Sequence, residues 1–326
     1  FGAGMFLSGF ATSIGYLIFS YGLLGGLGLG MAYGCNISCC VKFFPDKRGL
    51  IGGITTAVYG LSSVILPPVV TLIVQKSSAA FAFKAVGIVF IIVMILCSLV
   101  VEKCPDGFIP EGWTPPAQKN TGVTTQNYNW KYMLKSPVFY SMLFLLMCGA
   151  FCGMMIISQA SSVASGMIGM ETAAASLAVS VLALFNAGGR LLAGTLSDRI
   201  GRINTLTLAC ILSIIGLLFL TISGTGTYVT FYLGIAFVGF CFGAFMGVYP
   251  GFTADQFGPR NNSVNYGIMF IGFALAGFFG PTIMKNVYAS TGSYKNAFII
   301  AIGLNVAGLV LSVVYRMLSR KAKTVS

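Results

Sequence analysis

Long apolar runs recur along almost the whole chain, parted by short polar connections. A run of about 20 apolar residues is what a helix needs to cross a bilayer, and in lipid a helix or a closed barrel is required to satisfy every backbone polar group. Ten runs can be read, at 1–14, 17–42, 49–75, 81–101, 137–164, 172–197, 203–222, 228–252, 261–288 and 294–316. Only 8% of residues are charged and 56% are hydrophobic, whereas a soluble domain is about 25% charged. The expected fold class is all-α, a polytopic membrane protein.

The 19 Lys and Arg residues test that count, because positive charge collects on the cytoplasmic side. With alternating sides, fourteen fall together: Lys42, Lys47, Arg48, Lys103, Lys119, Lys131, Lys135, Arg199, Arg202, Arg260, Arg316, Arg320, Lys321 and Lys323. Four, Lys76, Lys84, Lys285 and Lys295, fall on the other side, and Arg190 lies inside a run. A miscounted span would scramble this asymmetry. The net charge of +12 therefore reads as a topology signal and not as a nucleic-acid surface. The expected location is the plasma membrane, multi-pass, with the fourteen-residue side cytoplasmic.

Residues 102–136 form the one long polar connection, with Pro105, Pro110, Pro115 and Pro116 and a run of Gln, Asn and Thr. The expected organisation is the remainder of a helical bundle at 1–101, a cytoplasmic linker at 102–136, a six-helix bundle at 137–316 and a cytoplasmic tail at 317–326. The two sides repeat each other. Shifting the first by 213 residues carries Gly26, Gly30 and Gly34 onto Gly239, Gly243 and Gly247, Phe44 onto Phe257 and Pro68 onto Pro281. With a two-residue deletion, Phe83-Lys84 falls on Tyr294-Lys295. Phe1 is not a start residue, and equal halves would put two further spans before it, twelve in a parent with both termini cytoplasmic. Glycine at every fourth position clears one helix face for a close neighbour, either as static packing or as a sliding surface.

Arg190 is the unusual residue. Ser176, Ser180, Ala183, Ala187, Arg190, Gly194 and Ser197 recur every three or four residues and so share one small, polar helical face. Eight residues separate Arg190 from Asp198, about 12 Å of helix, which puts the arginine near the midplane of a core about 30 Å thick. A cation there costs about 2.5–3.5 kcal/mol on insertion scales. It is either a structural arginine bonded to carbonyls of a neighbouring helix or an anion site on a substrate path; charged groups at membrane depth favour the second.

Twelve spans in two repeats suggest the major facilitator architecture. Gly194-Thr195-Leu196-Ser197-Asp198-Arg199-Ile200-Gly201-Arg202 matches that superfamily's G-x-L-x-D-R-x-G-R loop signature. Asp198 can pair with an arginine or cap a neighbouring helix and so latch the cytoplasmic side, with Gly194, Arg199, Gly201 and Arg202 as the rest of the gate motif. More narrowly, the chain resembles the oxalate/formate antiporter family. The matching pieces are Lys42-Phe43-Phe44-Pro45-Asp46-Lys47-Arg48-Gly49, Trp130 to Tyr140, Asn186-Ala187-Gly188-Gly189-Arg190 and Asn265-Tyr266-Gly267-Ile268.

The resemblance implies that Arg190 binds substrate carboxylate and that Tyr33, Tyr59, Phe242 and Phe270 line the site. The family's second cationic ligand falls on Phe273, where this chain has no charge. In monocarboxylate transporters of the wider superfamily an acid often precedes the arginine by one turn; here that place holds Asn186. One buried cation can neutralise one carboxylate, so a small monocarboxylate such as lactate, pyruvate or formate is expected, and oxalate is not. The planar arginine fork suits that ligand.

The chain has no histidine. Its nine cysteines form no CxxC pair, and they read as small packing residues. No metal, no cofactor and no enzyme activity are expected, since no nucleophile–base or metal-ligand constellation can be found. All seven acids lie in loops or at span ends, so no proton carrier is visible at depth, and exchange or uniport is favoured over proton-coupled symport. An exporter of another small solute is a remaining alternative, although a cation exporter would want an intramembrane carboxylate. The expected partners are the carboxylate substrate and the lipid bilayer, with the protein a monomer.

Overall fold

In the computed structural model, residues 1–105, 108–110 and 126–324 are described, and among them there are helices and connections but no strand. Helix α1 (Gly2–Ser8) precedes a continuous run, Ile14–Phe43, made of α2 (Ile14–Leu17), a π-helical stretch (Ile18–Gly25) and α3 (Gly26–Phe43). Then come α4 (Arg48–Lys76), α5 (Ala79–Ser98), α6 (Trp130–Lys135), α7 (Pro137–Gly166), α8 (Thr172–Ile200), α9 (Arg202–Ile222) and α10 (Tyr228–Phe257). Helices α11 (Asn262–Met269) and α12 (Ile271–Thr291) form one run broken at Phe270, and α13 (Lys295–Thr324) closes the chain.

Local chemistry sets these boundaries. Ser13, Ser78 and Asn129 cap α2, α5 and α6 by accepting from Tyr16, Phe81 and Tyr132 amides. Pro137 opens α7 at a position where its missing N–H is not needed. Gly201, at φ +91°, lets the chain reverse between α8 and α9 within one residue, and that reversal sets Asp198 beside Arg202.

Eight helices among the described residues are long and apolar enough to cross a membrane. The other two expected spans are helical as well. The run 1–14 is helical only over Gly2–Ser8, because the chain turns at Phe10–Ser13 before Ser13 caps the next helix. The run 49–75 is the 29-residue α4, whose inner face is small and polar and packs on backbone. Two connections also differ from expectation. The end of the supposed linker, Trp130–Lys135, is helix α6, and the supposed tail continues α13 through Thr324. Asp106, Glu111, Pro115, Pro116 and Lys119 lie outside the described residues, as do the side chains of Pro68, Lys321 and Lys323.

Helix α10 is the hub, packed against α7, α8, α9 and α4, and the large side chains Phe231, Phe245, Tyr249 and Phe257 along it are fully buried. Helix α8 lies between α10 and α4, so it joins the two sides of the internal repeat. Glycines make that double contact possible. A Cβ at Gly239 would meet Leu182 O at 2.9 Å, one at Gly243 would meet Arg190 N at 2.9 Å, and one at Gly247 would meet Arg190 Cα at 2.9 Å. The repeat mates differ. Gly26 and Gly30 have nothing within 4 Å and line, with Gly22 and Gly34, an open groove of about 680 Å³. Close packing therefore accounts for the α10 ladder but not for the α3 ladder.

Candidate functional site

Arg190 sits where three helices cross. Its backbone is held between Gly247 of α10 and Gly53 of α4: a side chain on either glycine would strike the Arg190 carbonyl. With both neighbours reduced to hydrogen, the arginine is fixed in depth and rotation by main-chain contact. Its side chain then reaches over α4 at Gly60, where an added Cβ would lie 3.6 Å from Cζ and Nε.

The guanidinium makes two hydrogen bonds. Nε donates to Asn186 Oδ1 at 3.0 Å, one turn back on α8, and Nη1 donates to the backbone carbonyl of Thr56 on α4. A hydrogen bond to a charged group contributes about 1.5–3 kcal/mol, so the pair offsets the burial of the cation. Both readings of this residue are thus present in part: a carbonyl of the neighbouring helix does hold it, but no carboxylate pairs with it among the described residues. Both bonds come from Nε and Nη1, and the residue is only partly buried. The positive charge is positioned yet not neutralised.

Tyr33, which interacts with Arg190, belongs to a chain of aromatic rings. Ring centroids run from Tyr59 to Tyr33 at 4.7 Å, Tyr33 to Phe270 at 5.3 Å, Phe270 to Phe273 at 4.5 Å and Phe273 to Phe242 at 6.3 Å. All five expected aromatic positions, from α3, α4, α10 and the α11–α12 break, thus form one chain of contacts. Phe242 is 4% exposed and sits behind Phe273, while the other four are partly exposed. Phe273 stacks on Phe270 at 21° with centroids 4.5 Å apart, an apolar plate.

Tyr266 is the residue the sequence reading missed. It belongs to the Asn265-Tyr266-Gly267-Ile268 piece but was not a candidate ligand. It is 2% exposed and lies 6.4 Å from Tyr33 ring to ring, the two phenols close enough to interact. Tyr33 and Tyr266 are the phenols within electrostatic reach of Arg190. Asn265 in the same piece has a structural role, donating to Tyr128 O at 3.0 Å.

The second feature is an ionic latch at the α4 N-terminus. Asp198 Oδ1 and Oδ2 each accept at 2.9 Å from the amides of Gly49 and Leu50, so a residue of α8 caps α4. Arg202 Nη1 donates to Asp198 Oδ1 at 2.6 Å and to Ser197 Oγ at 2.6 Å, and its Nε donates to Asp255 Oδ2 at 2.8 Å. Arg48 Nη1 donates to Asp255 Oδ1 at 2.8 Å. These four charged side chains are 12–19% exposed. Gly194 faces Gly49, and Gly201 makes the reversal. Arg199 is exposed and makes no ion pair among the described residues, so it stands outside the latch. Arg48 and Asp255, 207 residues apart, were not foreseen as partners. No group of three or more His, Cys, Asp or Glu among the described residues could hold a metal.

Residues 1–281 match the Major Facilitator Superfamily. The chain belongs to that superfamily. It is 27% identical over 274 residues to an uncharacterized MFS-type transporter, YhjX, of Escherichia coli, covering 84% of this chain and 66% of that protein. To the oxalate:formate antiporter of Oxalobacter formigenes it is 30% identical over 307 residues, covering 92% and 70%. To monocarboxylate transporter 12 of Xenopus laevis it is 25% identical over 318 residues, covering 91% and 68%. The chain thus spans about two thirds of the length of these relatives. The crystal structure of the transporter FucP superposes with a TM-score of 0.67 at 13% identity, covering 96% of this chain and 80% of that one, which shows the shared fold. The protein is a multi-pass membrane protein of a family of transporters, which are not enzymes.

Proposed function

We propose that this protein carries a small monocarboxylate across the membrane by alternating access, with Arg190 as the carboxylate-binding group. The observation that carries the proposal is the state of that guanidinium: held by Asn186 and Thr56, close to Tyr33 and Tyr266, and with no carboxylate paired to it among the described residues. A substrate carboxylate supplies the missing charge, and the phenols can donate to its second oxygen or to an α-hydroxyl. The aromatic plate of Phe270 and Phe273 takes the short apolar part of the substrate and offers no second cation, which disfavours a dianion.

We place the latch end on the cytoplasmic side of the plasma membrane, a reading supported by the excess of Lys and Arg on that side. There α4 and α8 meet through Asp198, Gly49 and Gly194, and the closed end changes places with an open one as the latch breaks. The described acids Asp46, Glu102, Glu171, Asp198 and Asp255 all lie in connections or near helix ends, which supports exchange or uniport over a proton relay. We place the substrate between the helices of a single chain, and a monomer suffices for transport.

Proteoliposomes test the reading. Uptake of labelled lactate, pyruvate or formate is expected, competed by monocarboxylates and not by oxalate, and abolished by Arg190→Ala while the variant still purifies folded. Equal uptake by that variant would remove the proposal.

A further inference from the structure

At the latch end a second cationic cavity, of about 370 Å³, lies apart from Arg190. Three cations line it: Lys42 at the end of α3, Arg48 at the start of α4 and Arg260 in the α10–α11 connection. Its described lining contains no carboxylate. The walls include Pro45, Phe108 and Pro259, apolar surfaces that strengthen the field of the cations between them. The geometry is tied down from several sides. Lys42 Nζ donates to the Arg260 carbonyl at 3.2 Å, and Asn127 Oδ1 accepts from the Arg260 amide at 3.0 Å.

Among the described residues only Arg48 of the three has an acid, Asp255. Lys42 and Arg260 have no salt bridge among the described residues. Three like charges around one small space repel, and two of them have no acid among the described residues. What relieves this is an anion of about two charges with several acceptor oxygens. The lining comes from both sides of the repeat and from the linker, and Arg48 serves the cavity and the latch at once.

We propose that this cavity is a phosphate-binding site that stabilises the latched state. A phosphate group there bridges Lys42 and Arg260 across the two halves, with Arg48 in the same wall. Because it binds only where the halves meet, it shifts the population toward the closed cytoplasmic end by mass action. The site is distinct from the Arg190 centre in ligand charge and in place. The phosphate can come from a free cytoplasmic anion or from the headgroup of an anionic phospholipid.

The test uses the purified protein in nanodiscs of phosphatidylcholine, with melting temperature as the readout. Inorganic phosphate is titrated against chloride at constant ionic strength, and a parallel sample contains phosphatidylglycerol. A saturable rise with phosphate identifies the free anion; a rise with phosphatidylglycerol alone identifies the headgroup. Either rise is expected to vanish in Lys42→Gln/Arg260→Gln and to persist in Arg190→Ala, which separates this site from the carboxylate centre. If the double variant does not fold, Arg260→Gln alone, at an exposed side chain, must still reduce the rise. No rise with either probe, a rise that survives the Lys42 and Arg260 changes, or a rise lost only in Arg190→Ala overturns the proposal.

Discussion

Asp255→Asn isolates the ion pair that joins the two sides of the repeat. Asp255 accepts from Arg48 of α4 and from Arg202 of α9, both at 2.8 Å, with side chains 12–13% exposed. Breaking a buried pair by neutralising one partner costs about 3–5 kcal/mol, because the other charge stays buried. Arg202 keeps Asp198 and Ser197, so the lower end applies, and the partial exposure brings the loss to about 2–3 kcal/mol. At the α4 N-terminus the Asp198 cap on Gly49 and Leu50 remains, a contact of about 1 kcal/mol. At about 1.4 kcal/mol per factor of ten, the closed-to-open ratio at the latch falls by roughly 30- to 140-fold. Spin labels at Phe44 and Ile200, exposed positions on the two sides of the latch, report it by pulsed dipolar spectroscopy in a background without the exposed cysteines Cys35 and Cys97. A longer-distance population absent from the parent is expected. An unchanged distance distribution would refute the reasoning, since the ion pair would then contribute nothing to closure.

Three further substitutions follow from the geometry. Gly60→Ala fits at ordinary contact distance from Arg190, whereas the branched side chain of Gly60→Val pushes the guanidinium away; carboxylate affinity should be near normal in the first and at least about tenfold weaker in the second, measured by competition. Gly243→Ala forces α10 off α8 and is expected to destabilise by about 1–3 kcal/mol, while its repeat mate Gly30→Ala meets nothing and leaves the melting temperature in place. Phe273→Lys puts a cation into the ring stack with Phe270, and oxalate should become a competitor of uptake where it was not one before.

The features legible in the sequence are those within a helix turn or set by periodicity. The spacing of Asn186 and Arg190, and of Asp198 and Arg202, is one turn, and both pairs are bonded. What could not be read were partners far apart in the chain: Thr56 on Arg190 across 134 residues and Asp255 on Arg48 across 207. Nothing local distinguishes Gly60 from any other glycine, and its role exists only once α8 crosses α4. The repeat likewise equated two glycine ladders that do different things, because the sequence gives the cleared face but not the helix that comes to lie on it. Tyr266 stayed hidden for the same reason: a tyrosine on a small-residue helix reads as packing until the arginine opposite is known.

The central claim is that Arg190 is an incompletely paired cation that takes up a single carboxylate. The most direct measurement is equilibrium binding of a radiolabelled monocarboxylate to the purified protein, wild type beside Arg190→Ala, with folding of both checked by melting temperature. Saturable binding by the wild type and none by the folded variant is the predicted result. Equal saturable binding by both would contradict the account.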